Sequence, residues 1–311
     1  MSALICGSMA YDTIMVFPDS FKHHILPDKI HILNVSFLVP DLRREFGGCA
    51  GNVAYNLSLL EGGGKIMATV GDDFSNYQKW LGDHGISTEH IRRIESSYTA
   101  QAYITTDQDD NQITAFHPGA MNFSHQNKVS DASDITVGIV SPDGRDGMIE
   151  HAIQFAEADI PFIFDPGQGL PMFGKPELDQ FIDQATWIAV NDYEGEMLQD
   201  KIGISLHAMQ ERVKAIIVTR GGEGSRIFYG GKIIDIPAVK IKELKDPTGC
   251  GDAYRAGLLY GLTNDMDWET TGRIASLMGA IKIGSAGTQN HSYSKDEFYA
   301  RYKETFGSSL D

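Results

Sequence analysis

An acid one residue past two glycines, at the mouth of an apolar stretch, carries the clearest chemical suggestion in this chain: Asp246-Pro247-Thr248-Gly249-Cys250-Gly251-Asp252. Gly249 and Gly251 permit a tight turn with an approachable backbone, and Ala253, Ala256, Gly257, Leu258 and Tyr260 read as the packed face of the helix that follows. A helix start leaves N–H groups unpaired, and with the positive end of the dipole they favour an anion. A carboxylate beside an anion is electrostatically costly unless it has a task, such as accepting the proton of a hydroxyl that attacks phosphorus. The same residues also read as an Asp and a Thr capping a helix after a glycine turn.

Other polar clusters fall where chemistry could use them. Gly47-Gly48-Cys49-Ala50-Gly51-Asn52 combines small residues, which let a ligand or a neighbouring strand approach, with an amide that both donates and accepts. Asn191-Asp192-Tyr193-Glu194 follows an apolar run at 187–190, where α/β proteins gather ligands, although it also suits the cap of a following helix. Thr219-Arg220-Gly221-Gly222-Glu223-Gly224 follows a second apolar run. A hairpin-like turn accounts for its glycines without a ligand, and Arg220 reads either as a phosphate partner or as a solvated charge. Asp12, between two short extended segments, reads on its own as a turn acid.

For these clusters to meet, the chain between them must alternate strands and helices. Runs at 3–7, 65–70, 135–140, 162–164, 187–190 and 215–219 read as strands, while 73–84, 145–157 and 270–283 read as helices. The aromatic residues of 73–84 are expected in the core, and Phe298, Tyr302 and Phe306 mark a terminal amphipathic helix. That rhythm predicts βα units around a largely parallel sheet in a single domain spanning 1–311. The strand-like pieces at 13–17, 30–37, 98–106 and 112–116 do not fit the alternation. They are expected as a small inserted sheet, drawn from segments at about 13–46 and 97–118, whose apolar strands could also meet those of a second chain as a homodimer.

Composition sets outer limits. A formal net charge of −16 argues against a nucleic-acid partner and leaves room for a small phosphorylated ligand. Cys6, Cys49 and Cys250 are far apart with no paired spacing, so neither a disulfide framework nor a structural zinc site is indicated. No basic segment precedes the first apolar run and no run reaches bilayer length. A cytoplasmic protein without a secretory or membrane segment is expected.

Taken in order, Asp12, Gly47-Gly48 with Asn52, Asn191-x-x-Glu194, Thr219-x-Gly221-x-x-Gly224 and Gly249-Cys250-Gly251-Asp252 resemble the signature of the ribokinase-like, or PfkB, sugar and nucleoside kinases. Pro247 stands where that family usually has Thr or Ser, and Cys250 where it more often has Ala. The resemblance covers nearly the whole chain. It implies a three-layer α/β/α ribokinase-like fold, with a central mostly parallel sheet and a small β-sheet lid that closes the acceptor site against water. It also implies a reaction in which ATP phosphorylates a hydroxyl with Mg²⁺ as cofactor.

Residue by residue, the resemblance makes Gly249, Cys250 and Gly251 an anion hole and Asp252 the catalytic base. Asp12, Gly47, Gly48 and Asn52 would hold the acceptor. Asn191, Glu194, Thr219, Arg220, Gly221 and Gly224 would serve ATP together with Gly249 and Gly251, with Asn191 and Glu194 ordering Mg²⁺ mainly through water. In many relatives the loop matching 284–290 borders adenine and a monovalent cation, which makes K⁺ a candidate cofactor. The stretches 9–17, 34–37 and 43–52 are most similar to bacterial adenosine or broad nucleoside kinases. They imply a purine nucleoside, adenosine first, phosphorylated on its 5′-hydroxyl, with Phe17, Phe37 and Phe116 as an apolar platform for the base. One alternative is a sugar or sugar-phosphate kinase in which Arg43, Arg44 and His117 converge on a second phosphate. The other is a catalytically silent ligand-binding protein, against which Asp252 argues.

Overall fold

The first strand divides its side chains between two cores: Ala3 and Ile5 enter one, Leu4 and Cys6 the other. A strand does this only when both faces of its sheet are covered, because successive side chains point to opposite sides. The computed structural model describes residues 2–25, 31–32, 34–109 and 111–310. Its strands are β1 (Ser2–Cys6), β2 (Ala10–Val16), β3 (Asp41–Gly47), β4 (Gly64–Val70), β5 (Ile91–Arg93), β6 (Ala100–Thr106), β7 (Gln112–His117), β8 (Ile135–Val140), β9 (Phe162–Phe164), β10 (Trp187–Asn191), β11 (Ala215–Thr219), β12 (Ser225–Tyr229) and β13 (Lys232–Ile236). Its helices are α1 (Cys49–Ser58), α2 (Ser75–Asp83), α3 (Arg145–Glu157), α4 (Lys175–Gln184), α5 (Asp192–Ile202), α6 (Leu206–Met209), α7 (Cys250–Thr263), α8 (Trp268–Lys282) and α9 (Lys295–Phe306).

Nine strands form one sheet in the order β13-β12-β11-β10-β9-β8-β1-β4-β5, parallel except at β12 and β13. Buried residues of α1, α2, α7, α8 and α9 form the core on one face, and those of α3, α4 and α5 the core on the other. This is the expected three-layer architecture. Neighbouring β1 runs on to β4 in one direction and β8 in the other, so the chain ends of β1, β8, β9, β10 and β11 open onto the crevice where such sheets bind ligands. Among the described residues no helix is long and apolar enough to cross a membrane.

A separate sheet, β3-β2-β6-β7, forms the lid. One of its strands lies elsewhere than alternation suggested. Of the 30–37 segment, Ile30 and Leu33 lie outside the described residues, and 34–40 is irregular; the strand is β3, with the sequence Asp-Leu-Arg-Arg-Glu-Phe-Gly. Edge strands tolerate charge because much of their surface is open to water, and here charged side chains on both faces hide the period of two.

Candidate active site

Two remote helices begin at the same place. Ser8, just past β1, fixes the start of α1: its hydroxyl accepts from the Cys49 N–H at 3.2 Å and its carbonyl from the Ala50 N–H at 3.0 Å. Gly48 has φ +88°, and a Cβ there would lie 2.5 Å from the Ser8 carbonyl, so this close crossing requires glycine. Asn52 then projects from α1 toward α7, where its Nδ2 donates to Asp252 Oδ2 at 2.8 Å. Gly249 caps α7 in the left-handed conformation, and the Gly251 and Asp252 amides have no acceptor among the described residues. Free amides at the positive end of a helix therefore stand beside a carboxylate.

Withdrawal from water pushes the Asp252 carboxyl up to about 6; the Asn52 hydrogen bond and the Arg255 guanidinium hold it down, and the charge of Asp165 adds to the rise. Some solvent access remains at the cleft. An acid poised there is ionised at neutral pH and basic enough to take a proton from an attacking hydroxyl. Burial raises the neighbouring Cys250 thiol to about 11, so it is a packed thiol rather than a nucleophile.

Asp12 lies on β2 against Gly47, where an added Cβ would meet Asp12 Oδ2 at 2.6 Å. Burial, with the nearby charges of Glu45 and Asp246, raises Asp12 to about 6. Strand register places Glu45, Asp12, Ala102 and Phe116 in one row across one face of the lid. Phe116 is exposed on that face. Phe17 follows the opposite parity and packs on Phe37 at 4.7 Å and Phe21 at 5.8 Å between ring centroids, so Phe17 and Phe37 build a small core of their own away from Asp12. Arg43 pairs with Glu45 at 3.5 Å. Arg44, on the opposite face, lies 3.6 Å over the Tyr11 ring and 3.4 Å from Asp73. His117 shares the face of Arg44, so the three basic residues do not converge.

On the other side, Asn191 and Glu194 form a reciprocal cap for α5: Asn191 Oδ1 accepts from the Glu194 N–H at 2.7 Å, and Glu194 Oε2 from the Asn191 N–H at 2.8 Å. Burial and the charge of Asp165 raise Glu194, while the Asn191 N–H and Arg255 oppose the rise. Its Oε1 meets no protein donor among the described residues and is free to accept from a metal-bound water. The described residues hold no cluster of three or more His, Cys, Asp or Glu side chains suited to a metal. That donor set fits Mg²⁺, which keeps most of its water and leans on one or two carboxylates and on phosphate. Thr219 closes β11, and the turn after it needs Gly224, where φ is +84° and a Cβ would lie 2.1 Å from the Ile236 carbonyl. Gly221 also has a positive φ. Arg220 is held by Glu223 at 3.3 Å and Asp235 at 3.6 Å, so its charge is already engaged.

The structure adds residues that the sequence analysis did not single out. Arg255, buried one turn beyond Asp252, donates to Asp165 Oδ1 at 2.9 Å and the Ala189 carbonyl at 3.3 Å, and stands 3.9 Å from Glu194. A charge inside the apolar face of α7 was its visible signal. Gln289 donates to Asn52 Oδ1 at 2.9 Å, Asn290 to Glu45 at 2.9 Å, and the Thr288 hydroxyl to the Phe46 carbonyl. The loop after α8 thereby ties α1 to the lid, a closure that carries no local periodicity.

The chain is similar to known proteins along nearly its whole length. Residues 9–296 match the model of the pfkB family carbohydrate kinases. A nucleoside kinase from Methanocaldococcus jannaschii is 31% identical over 273 residues, covering 87% of this chain and 90% of its own. The structure of Burkholderia thailandensis nucleoside kinase in complex with inosine superposes with a TM-score of 0.91 at 50% identity, covering 99% of both chains. A ribokinase from Thermotoga maritima, 18% identical, shares the fold with a TM-score of 0.79 over 98% of this chain and 100% of its own.

Proposed function

Because the chain belongs to the pfkB family of carbohydrate kinases, we propose that this ATP-dependent kinase phosphorylates the 5′-hydroxyl of a purine nucleoside, with adenosine preferred. One observation carries the reading: the 2.8 Å contact from Asn52 to Asp252 joins the helix behind the acceptor side to the base at the mouth of α7. Asp12 accepts hydroxyls of the ribose and aims the remaining one. Asp252 takes the proton of the 5′-hydroxyl as its oxygen bonds to the γ-phosphorus and the bond to the β-phosphate oxygen breaks. The amides of Gly251 and Asp252 meet the charge carried by the transferring group. Asn191, Glu194, Thr219, Gly221 and Gly224 serve the nucleotide side. Mg²⁺, when bound through water to Glu194, neutralises phosphate charge.

Three features support a nucleoside over a sugar phosphate. The Burkholderia thailandensis relative binds inosine. Phe116 stands exposed on the Asp12 face, where a base could stack. Arg43 lies on the lid face opposite Arg44 and His117, and Arg44 is engaged by Asp73 and the Tyr11 ring, which argues against a second phosphate site formed by the three. Adenosine follows from the resemblance of the N-terminal half, and inosine is its rival.

The test is a coupled assay of adenosine, inosine, guanosine, cytidine, ribose, fructose and fructose 6-phosphate at equal concentrations, with the product identified. A purine nucleoside should give the highest kcat/KM and a 5′-monophosphate. A free sugar or sugar phosphate ahead by more than about tenfold overturns the substrate class. We also propose a homodimer through the lid, whose edge strand β7 is exposed throughout. Light scattering that gives a monomer at micromolar concentration refutes it.

A further inference from the structure

At the end of α8, Lys282 is fully buried, although lysine is seldom buried without a paired carboxylate. Among the described residues no carboxylate lies within ion-pair distance of it. Its Nζ instead donates to two backbone carbonyls, that of Asp246 at 2.6 Å and that of Ser285 at 3.3 Å. These carbonyls belong to the two loops that frame the start of α7. The Asp246 carboxylate accepts from the Thr248 N–H at 2.9 Å and the Gly287 N–H at 2.9 Å. The Lys245 and Asp246 amides reach the Ile283 carbonyl at 3.0 and 3.2 Å. From the second loop, Thr288, Gln289 and Asn290 run on to the lid and to Asn52. One ammonium therefore sits where the anion-binding turn, the loop after α8 and, through that loop, the acceptor helix are fastened together.

We propose that Lys282 is a built-in monovalent cation: its ammonium, gripped by the Asp246 and Ser285 carbonyls, holds the turn at 246–249 in its phosphate-binding form, adds positive charge behind it, and removes any need for free K⁺. This rests on the kinase reading of the same site. Carbonyls converging on a buried point make a place for a desolvated cation, and a tethered ammonium fills it without the entropy cost of capturing an ion. In so dry a place its charge is weakly screened and reaches the anion hole. Cys250, the first residue of α7 after that turn, and Asp252 both interact electrostatically with it. Burial nevertheless pulls the Lys282 ammonium below its ordinary range, while Cys250, Asp246 and Asp252 hold it up. A free K⁺, the candidate cofactor implied by the family resemblance, has no task here.

The test compares the wild-type protein with Lys282→Ala and Lys282→Met in buffers whose only monovalent cation is K⁺, NH₄⁺ or the oversized tetramethylammonium. Phosphorylation of adenosine and of inosine, and ADP binding by calorimetry, are the readouts. The wild type should keep the same kcat and ADP affinity in all three within about twofold. Lys282→Ala leaves a carbonyl-lined hole; it should lose about tenfold to a hundredfold in kcat in tetramethylammonium and regain at least about tenfold in K⁺ or NH₄⁺. Lys282→Met fills the hole without charge and should stay low in every salt. A wild type that requires K⁺, a Lys282→Met variant with wild-type kcat, or folded variants equally impaired in all salts each overturns the proposal; the last outcome makes Lys282 a packing residue only. Should neither variant fold, the salt response of the wild type still decides against or for a built-in cation. A wild type that phosphorylates no nucleoside defeats the substrate reading instead, and the ADP arm then decides the role of Lys282.

Discussion

Replacing Asn52 by Ala removes the amide that donates to Asp252 Oδ2 at 2.8 Å and strips Gln289 of one acceptor. A hydrogen bond to a charged group contributes about 1.5–3 kcal/mol, and here it favours the ionised carboxylate. Because about 1.4 kcal/mol corresponds to one pH unit, its loss should lift Asp252 by about one to two pH units. Water entering the vacated space restores part of the bond, which favours the lower figure. The sign follows from the proposed role of Asp252 as base, since a base must be ionised to act. Wild-type kcat should fall as pH drops through about 6, the value to which burial pushes Asp252. In the variant the fall should begin near pH 7, about one unit higher. At alkaline pH the two enzymes should converge within a few-fold, and at acid pH they should differ by about tenfold. The measurement is kcat against pH at saturating nucleoside and ATP, because Asp12 also titrates at about 6 and bound acceptor covers it. An acid limb unchanged in Asn52→Ala refutes the idea that Asn52 tunes the base. A kcat with no acid limb in either enzyme removes Asp252 from that role.

Asp252→Asn should lower kcat by at least about 100-fold with modest changes in substrate affinity, and steady-state kinetics that show an unchanged kcat would exclude Asp252 as base. Asp12→Ala should raise the acceptor KM by about tenfold or more and leave the ATP KM nearly constant; equal weakening of both counts against the division of labour. Arg255→Lys keeps a charge but cannot reach Asp165 and the Ala189 carbonyl as the planar fork does, so kcat should fall by about tenfold with the acid limb displaced upward. Arg255→Met leaves Asp165 and Glu194 without their buried counter-charge and should cost about 3–5 kcal/mol in denaturant unfolding. Wild-type stability in Arg255→Met would show that those carboxylates are paired elsewhere.

Legibility in the sequence followed the physics of each element. Strands such as β8 and β11 are buried on both faces, so they read as continuous apolar runs and the parallel sheet could be anticipated from them. The antiparallel strand β12 and the edge strand β13 beside it mix polar and apolar residues and leave no continuous apolar run, and in β3 charges mask the alternation. Glycines at crossings were readable for a different reason. Gly48 and Gly249 hold backbone conformations that favour glycine, so residue type and local geometry demand each other.

Residues whose meaning depends on closure of the whole chain left weaker marks. A lysine in the last turn of a helix, such as Lys282, normally reads as a solvated partner of the dipole, and only the packed loops bring carbonyls onto it. Arg255 is the instructive intermediate. A charge among Ala253, Ala256 and Leu258 on the packed face of a helix cannot stay buried without a partner, so its presence in the sequence already requires a carboxylate somewhere. Which carboxylate is decided by strand order. Placing β9 and β10 side by side at the crevice brings Asp165, 90 positions away, to 2.9 Å from the guanidinium and leaves Glu194 within 3.9 Å. The same ion pair that lets α7 bury a charge therefore ties Asp252, one turn earlier on that helix, to the Asp165 and Glu194 side of the cleft.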